Sequence, residues 1–474
     1  MLSLAGAKRV IVVGGCLGTA YIQLTQCPIA VQWARSLGAD GLHVGIWGAA
    51  PTVFLFMQLA AAMCARRLTY RKPLWVAVSL MQRVSFLPVA VGPWIWPAAP
   101  MGLWIWLLLG LAAVNHALLH FSTPLWLSWM SDYLPHVGLS RFWGARQFWL
   151  HWAAAGSLLL AGVCLFKTGL TIRDGFSWMI IAASVAGVLD ILLFLPVEEP
   201  PARHGPEPRL RDVLAGPFQR PDFRSYIAFS CFWHVAAMVG APFISLYLFE
   251  HVGMDLFHVM LLWAFSWTGG TFLARKMGNL AERRGGRPLL ILCTAFKSLN
   301  MIALLCLPRE PVLAFWSLLP VFMIDAMLNA GISIAHNNFL MKHSPAENRT
   351  MFIAAGTAYA GFTGGVASIA AGLLIRYTKS WHGAWLGMDL VNYHVLFAVS
   401  TALRLLAAAA AVRVREPAAH GTRYVLTEIM STTPLRHLAW PKRWYRPAGE
   451  SEPVLLRLPR AVESEIASAG NRAA

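Results

Sequence analysis

At 474 residues, 57% of them hydrophobic and 13% charged, with a mean hydropathy of +0.55, the chain has more apolar surface than one aqueous core can hide. Lipid is the solvent this composition requires, and an ordinary soluble domain is excluded. The formal charge of +17 sits in short connectors and in the tail, so it points to membrane topology and not to polynucleotide binding.

A helix crosses a bilayer in about 20 apolar residues, because its own N–H and C=O groups satisfy one another. The first such run follows Lys8-Arg9 and contains Gly14-Gly15-Cys16, which imitates a lipoprotein signal. The apolar stretch before Cys16 is too short for one and continues past it, so an uncleaved first helix is expected. Apolar runs predict helices near 10–31, 43–64, 73–96, 101–130, 147–168 and 175–197, then near 225–249, 254–276, 288–307, 311–340, 350–375 and 389–412. The expected class is therefore an all-α polytopic membrane protein of about twelve spans. It divides into a six-helix bundle (1–197), a Pro- and Arg-rich linker (198–224), a second bundle (225–415) and a polar tail (416–474). The seven cysteines fall in or beside the spans without C-x-x-C spacing, which fits neither a disulfide framework nor a zinc site.

Even-numbered connectors carry eighteen Lys and Arg residues and odd-numbered ones six, which places the even connectors and both termini in the cytoplasm. A plasma membrane, the inner membrane of a bacterium, is the expected location. The halves also repeat one another. Arg71-Lys-Pro-Leu74 and Gly286-Arg-Pro-Leu289 each open a third helix, with Gln82 and Lys297 nine positions past the proline. Fourth helices end at Leu134-Pro135 and Ser344-Pro345, an alignment that sets Asn115 opposite Asp325.

The run Gly278-Asn-Leu-Ala-Glu282-Arg283-Arg284-Gly285-Gly286-Arg287-Pro288 resembles the connector signature of the major facilitator superfamily, G-x-x-x-[DE]-R-x-G-x-[RK], between helices 8 and 9. Gly278, Glu282, Arg283, Gly285 and Arg287 would then form a cytoplasmic charge latch between the two halves of the bundle. In the first half only Arg71 and Lys72 survive, with Arg67 and Tyr70 at the acid and glycine positions. Trp129-Met-Ser-Asp132-Tyr-Leu-Pro135, Arg141-Phe-Trp-Gly144-Ala-Arg146, and Pro242-Phe243 with Tyr247 are similar to patterns in bacterial members. The arginine in helix 4 and the Gly-Pro run in helix 5 that mark many drug/proton antiporters are missing. The resemblance covers residues 1 to about 415 and implies two six-helix bundles around one cavity, lined by helices 1, 4, 7 and 10.

Ionisable groups inside a span are costly and mark candidate sites. At ~1.5 Å per residue, Arg83 lies roughly 15 Å and Asp190 about 11 Å from the cytoplasmic ends of helices 3 and 6. The resemblance packs these helices together, so a buried pair is expected, with a structural role or one in coupling. Gln23, Gln26, Asn115, His116, Asp325 and Asn329 come out near mid-bilayer and His234 closer to the cytoplasm. These are the candidates for lining the solute cavity; hydrogen bonding between packed helices is the alternative for each. Asp325, with Lys297 and Arg404 as possible partners, is the candidate for carrying a coupling proton.

His116 and His120, four apart on one face, suit packing or solute contact better than a metal. Asn348-Arg-Thr matches a glycosylation sequon on the cytoplasmic side, where it should be inert. Trp94, Trp96, Trp104 and Trp106 fit an interfacial belt. Leu435 to Arg446 resembles a basic, aromatic membrane-surface segment. No H-E-x-x-H or G-x-S-x-G motif supports a membrane enzyme. The reading is a secondary transporter of a small organic solute, driven by a proton or another ion, without cofactor or metal and expected as a monomer in lipid. A sensor or lipid translocator of the same fold is the alternative.

Overall fold

The computed structural model describes residues 3–65, 67–135, 139–201, 215, 218–343, 349–385, 388–416 and 419–432. Twelve long helical segments succeed one another. The first is α1, in two pieces, Leu4–Thr25 and Pro28–Ser36. Then come α2 (Gly41–Val53, a 3-10 turn Phe54–Phe56, Met57–Ala65), α3 (Lys72–Val84 and Leu87–Ile95), α4 (Met101–Tyr133), α5 (Leu139–Thr168) and α6 (Ile172–Leu193). After the linker come α7 (Pro221–Gly240, Ala241–Phe243, Ile244–Tyr247 and a π-helical turn Leu248–Val252), α8 (Leu256–Arg284), α9 (Gly286–Phe296 and Ser298–Leu305), α10 (Pro311–His343) and α11 (Arg349–Tyr377). A short hairpin, β1 (His382–Trp385) with β2 (Met388–Val391), leads into α12 (Asn392–Ala411), and α13 (Thr422–Thr432) follows.

Eleven of the described helices are long and apolar enough to cross a membrane. The remaining long segment is α8, whose 29 residues are ample for a span. The chain is thus an all-α, multi-pass membrane protein. Local chemistry explains the interruptions. Pro28 and Pro242 lack an N–H and stand at the corresponding breaks of α1 and α7, and Pro51 precedes the 3-10 turn of α2. Most of linker 198–224, the Asn348 sequon and the Leu435–Arg446 segment lie outside the described residues.

Call the end of the bundle away from the arginine-rich connectors the outer end. Two apolar clusters there mix residues of both sequence halves. Val31 and Val44 join Phe243, Tyr247, Leu304 and Phe397, while Met260 and Ala264 join Trp33, Phe86 and Phe176. At the inner end the two large clusters each draw on one half, and a small cluster of Leu59, Ala62, Ala354 and Ala355 connects α2 to α11.

The α2–α11 contact depends on glycine. A Cβ at Gly45 would stand 2.7 Å from the Ser368 carbonyl oxygen, and one at Gly372 would stand 2.6 Å from that of Gly41. Ser368 Oγ donates to the Gly45 carbonyl at 2.8 Å. Backbones meet here without side chains between them, the approach by which helices associate in lipid.

Candidate functional site

Two buried polar networks occupy matching places in the two halves. In the first, Arg83 Nη2 donates to Asp190 Oδ2 at 2.7 Å, Nη1 donates to Gln82 Oε1 at 2.7 Å, and the guanidinium lies 4.5 Å from the centre of the Tyr21 ring. Asn115, fully buried, takes Gln82 Nε2–H on its oxygen at 3.2 Å. Its own amide nitrogen lies 2.6–2.9 Å from three acceptors: Tyr21 Oη, Ser85 Oγ and the Gln82 carbonyl. Helix α1 gives this cluster room through its glycines. A Cβ at Gly18 would fall 2.6 Å from Asp190 Oδ2, one at Gly14 2.9 Å from Asp190 Oδ1, and one at Gly15 2.8 Å from Arg146 Nη2.

In the second half Lys297 Nζ donates to Asp325 Oδ2 at 2.7 Å. The repeat places Lys297 where the first half has Gln82 and Asp325 where it has Asn115, so an amide contact in one half stands where an ion pair stands in the other. Arg404, 2% exposed, reaches this pair through the backbone: Nη1 donates to the Lys297 carbonyl at 2.8 Å, and the guanidinium lies 5.9 Å from the Trp233 ring. The sequence offered Lys297 and Arg404 as possible partners of Asp325; among the described contacts Lys297 bonds the carboxylate directly and Arg404 is held on the Lys297 backbone. Asp325 Oδ1, Arg404 Nε and Asn300 Oδ1 are buried with no hydrogen-bond partner in the protein. Arg83 Nε in the first network and Arg71 Nη2 share this state, so it is found in both halves.

Asp325 opens a polar stripe on α10. Asn329, Ser333 and His336 follow at spacings of four, four and three residues, hence on one face. Asn329 and Ser333 are exposed, yet the apolar residues that α10 exposes, among them Leu313, Trp316 and Ile324, lie on another side of the helix. Tyr226 Oη contacts His336 Nδ1 at the inner end of the stripe. His234 Nδ1–H donates to the Ser230 carbonyl at 2.8 Å, which leaves Nε2 as an acceptor.

Between the halves, Trp267 Nε1–H on α8 donates to Gln23 Oε1 on α1 at 3.1 Å. His151 on α5 lies 5.5 Å from the Trp267 ring, centre to centre, and its Nε2 accepts from Gln147 at 3.0 Å. Gln26, half-buried, ends the first piece of α1. His116 is buried and stacks on His120, whose Nε2–H donates to the Pro51 carbonyl at 2.8 Å. Among the described residues no three His, Cys, Asp or Glu side chains stand together as metal ligands.

The side chain of Glu282 and the placement around Gly278 lie outside the described set. Arg283 is exposed, and Gly285 turns the chain with φ +90°. Arg287 stays within its own half: Glu416 accepts the backbone N–H groups of Gly286 and Arg287 at 3.2 and 2.7 Å, and Arg287 Nη2 donates to the Val412 carbonyl at 2.7 Å. The first half repeats this. Glu199 accepts from Arg71 N and Lys72 N at 2.5 and 2.9 Å, Lys72 Nζ donates to the Leu195 carbonyl at 2.6 Å, and Arg71 pairs with Asp132 at 2.8 Å. These described contacts cap the N-termini of α9 and α3 and do not cross between halves. Sequence reasoning missed both glutamates, although Val197-Glu-Glu199-Pro and Val414-Arg-Glu416-Pro repeat in plain view.

Eleven membrane-length apolar helices and α8, with polar networks buried among them, define a class: multi-pass α-helical membrane proteins. No family model and no curated protein sequence matches the chain. Solved structures do. A variant of the nucleoside transporter NupG superposes with TM-score 0.68 at 13% identity, over 86% of this chain and all of the other. The inward-open xylose transporter XylE from E. coli gives 0.62 at 13%, over 90% and 100%. A bacterial homologue of the iron transporter ferroportin, inward-facing, gives 0.64 at 12%, over 87% and 99%. The chain has the major facilitator fold.

Proposed function

We propose that this protein is a secondary transporter that carries a small polar organic solute by alternating access, with Asp325 as the proton-linked group. The two six-helix halves, 1–197 and 225–415, would rock against each other in a plasma membrane, both termini cytoplasmic. The observation that carries this reading is the Lys297–Asp325 pair in the middle of α9 and α10. It is a carboxylate with one oxygen bonded to a lysine and the other without a protein partner, at the head of an interior polar stripe. Protonation of Asp325 would release Lys297 and replace an ion pair by a neutral acid, which changes the packing between two helices at the cost of one proton.

Solute contact falls to Gln23, Trp267, His151 and Gln147, which bring amides, an imidazole and an indole together from both halves. With Gln23 Oε1 held by Trp267, its amide hydrogens remain to donate, an arrangement suited to a neutral hydroxylated or heterocyclic solute. The fold neighbours named for nucleosides and for xylose favour that class.

Reconstituted protein should take up labelled uridine or D-xylose into liposomes faster under an inward proton gradient. Asp325→Asn should abolish gradient-driven accumulation and keep counterflow. Accumulation that survives Asp325→Asn would remove the proton role, and stabilisation by a solute without flux would turn the reading to a sensor.

A further inference from the structure

The outer connectors of α1–α2 and α7–α8 carry one pattern twice: Gly38-Ala-Asp40-Gly-Leu-His43-Val44 and Gly253-Met-Asp255-Leu-Phe-His258-Val259. Their geometry repeats as well. Each glycine has positive φ, +93° and +71°, a conformation that a side chain would resist. Each aspartate is the N-cap of the following helix, with Asp40 Oδ1 accepting from Leu42 N and His43 N and Asp255 Oδ1 from His258 N. Each histidine places Nδ1 2.7 Å from the carboxylate.

The two copies differ in what lies across the bundle. Asp40 Oδ2 pairs with Arg376 Nε at 3.2 Å, from the last turn of α11 in the other half. Beside it Arg35 Nε on α1 pairs with Glu250 Oε1 at 3.4 Å, and Tyr393 Oη on α12 donates to Glu250 Oε2 at 2.6 Å. Glu250 belongs to the π-helical turn of α7, a form found mostly as single turns at functional sites. Asp255, by contrast, has a 62% exposed side chain, and His258 is its only ion-pair partner among the described residues. Beneath the engaged copy lies the apolar seal of Val31 and Val44 against Phe243 and Tyr247.

We propose that the Asp40 turn and Glu250 form the latch that holds the outer end closed, and that the Asp255 turn is its matching copy without a partner across the bundle. Two ion pairs of opposite polarity, acid to base in one and base to acid in the other, bridge the same two halves. Each acid is also fixed in place on its own side, Asp40 by the helix cap and His43, Glu250 by Tyr393. A bridge so held loses little side-chain freedom on forming and breaks as a unit when the halves part. This inference rests on the alternating-access reading for its role, but its geometry is independent of the solute and of the coupling ion.

The experiment takes full-length protein with its native cysteines replaced, in nanodiscs, and measures distances between spin labels. An outer pair is placed at the exposed Ser36 and Lys379 and an inner pair at the exposed Tyr70 and Arg413. Arg376→Gln and Glu250→Gln leave the Asp40 cap intact. Together they should shift the outer pair toward a longer population, raising the open-to-closed ratio roughly fivefold, as two partly exposed bridges imply. The inner pair should shorten in step. The exchange Arg35→Glu with Glu250→Arg should restore the closed distribution, and Asp255→Asn should leave it unchanged. An unmoved outer distance in Arg376→Gln and Glu250→Gln, singly and together, overturns the latch and leaves the transport reading standing. An outer distance that lengthens while the inner one stays fixed keeps the latch and overturns alternation. A shift from Asp255→Asn as large as that from Arg376→Gln overturns the assignment of the first copy as the engaged one.

Discussion

Gly18→Ala isolates the energetics of the first-half charge cluster. Elsewhere on a helix this substitution is favourable by about 1 kcal/mol, because alanine loses less backbone entropy. At Gly18 the new Cβ would stand 2.6 Å from Asp190 Oδ2 and 3.0 Å from Arg83 Nη2, and the cluster has nowhere to retreat: Gly187 already abuts the Arg83 side chain and Gly14 the other Asp190 oxygen. Breaking a buried ion pair costs about 3–5 kcal/mol. A methyl that displaces the carboxylate without removing it should forfeit most of that, for a net loss of about 2–3 kcal/mol after the helix gain. Gly110→Ala is the control, since nothing lies within 4 Å of its Cβ and the residue is exposed on α4. Denaturation of the purified protein in detergent, by heat and by SDS titration, should place Gly18→Ala well below wild type and Gly110→Ala at or above it. Equal midpoints for the two variants would refute the account of α1 as a cradle for Arg83 and Asp190.

Two further outcomes follow from the charges. Lys297→Gln should destabilise the protein by about 3 kcal/mol because it leaves Asp325 buried without its cation, and adding Asn at position 325 should recover most of the loss; the same denaturation assay reads both, and additive effects would show that the pair is not coupled. At the outer end, Asp40 keeps its carboxyl below the ordinary aspartate range: burial raises it, but the His43 N–H, the His43 ring and Arg376 together lower it further. A folded-state value below the unfolded one contributes stability at every pH above the unfolded value, and that contribution is lost as pH falls through the folded value. Of the groups that lower it only Arg376, the smallest contributor, parts from Asp40 when the outer end opens, so the Ser36–Lys379 distance should hold steady from neutral pH down to about 4 and lengthen only slightly below it; opening between pH 5 and 7 would assign control to the histidines instead.

The spans were legible because lipid imposes length and composition on them one at a time, and the alternation of basic connectors checked their number. The Arg83–Asp190 contact was expected from depth along two helices that the family resemblance packs together, and the Gln82–Lys297 and Asn115–Asp325 alignments from the repeated proline. What sequence did not show is what depends on helix rotation and tilt. Asn115, at mid-depth on a helix that the resemblance gives to the cavity, takes the alternative of hydrogen bonding between packed helices, with Tyr21, Gln82 and Ser85. Trp267 and His151, which meet Gln23 between the halves, carry no signal in a span already rich in aromatics. Glu199, Glu416 and the paired Gly-x-Asp-x-x-His turns are a different case. Their repetition is written in the sequence, but a glutamate past the end of a span and an aspartate in a connector look like solvated residues until the fold brings their partners to them.

The glycines at the α2–α11 crossing bear on friction. Where side chains interlock, one helix moves over another only by lifting knobs out of holes. Where Gly45 and Gly372 bring bare backbone against backbone, there is little to lift, and the cost of a small rotation changes smoothly with angle. On the proposed rocking of the halves, this stretch would serve as a bearing, flanked along the same crossing by side chains that do seat into glycine gaps, Ile375 against Gly41 and Val53 against Gly365. Enlarging either glycine would force the two backbones apart, because the nearest atoms are main-chain carbonyls that cannot turn aside, and would cost packing as well as any freedom of tilt.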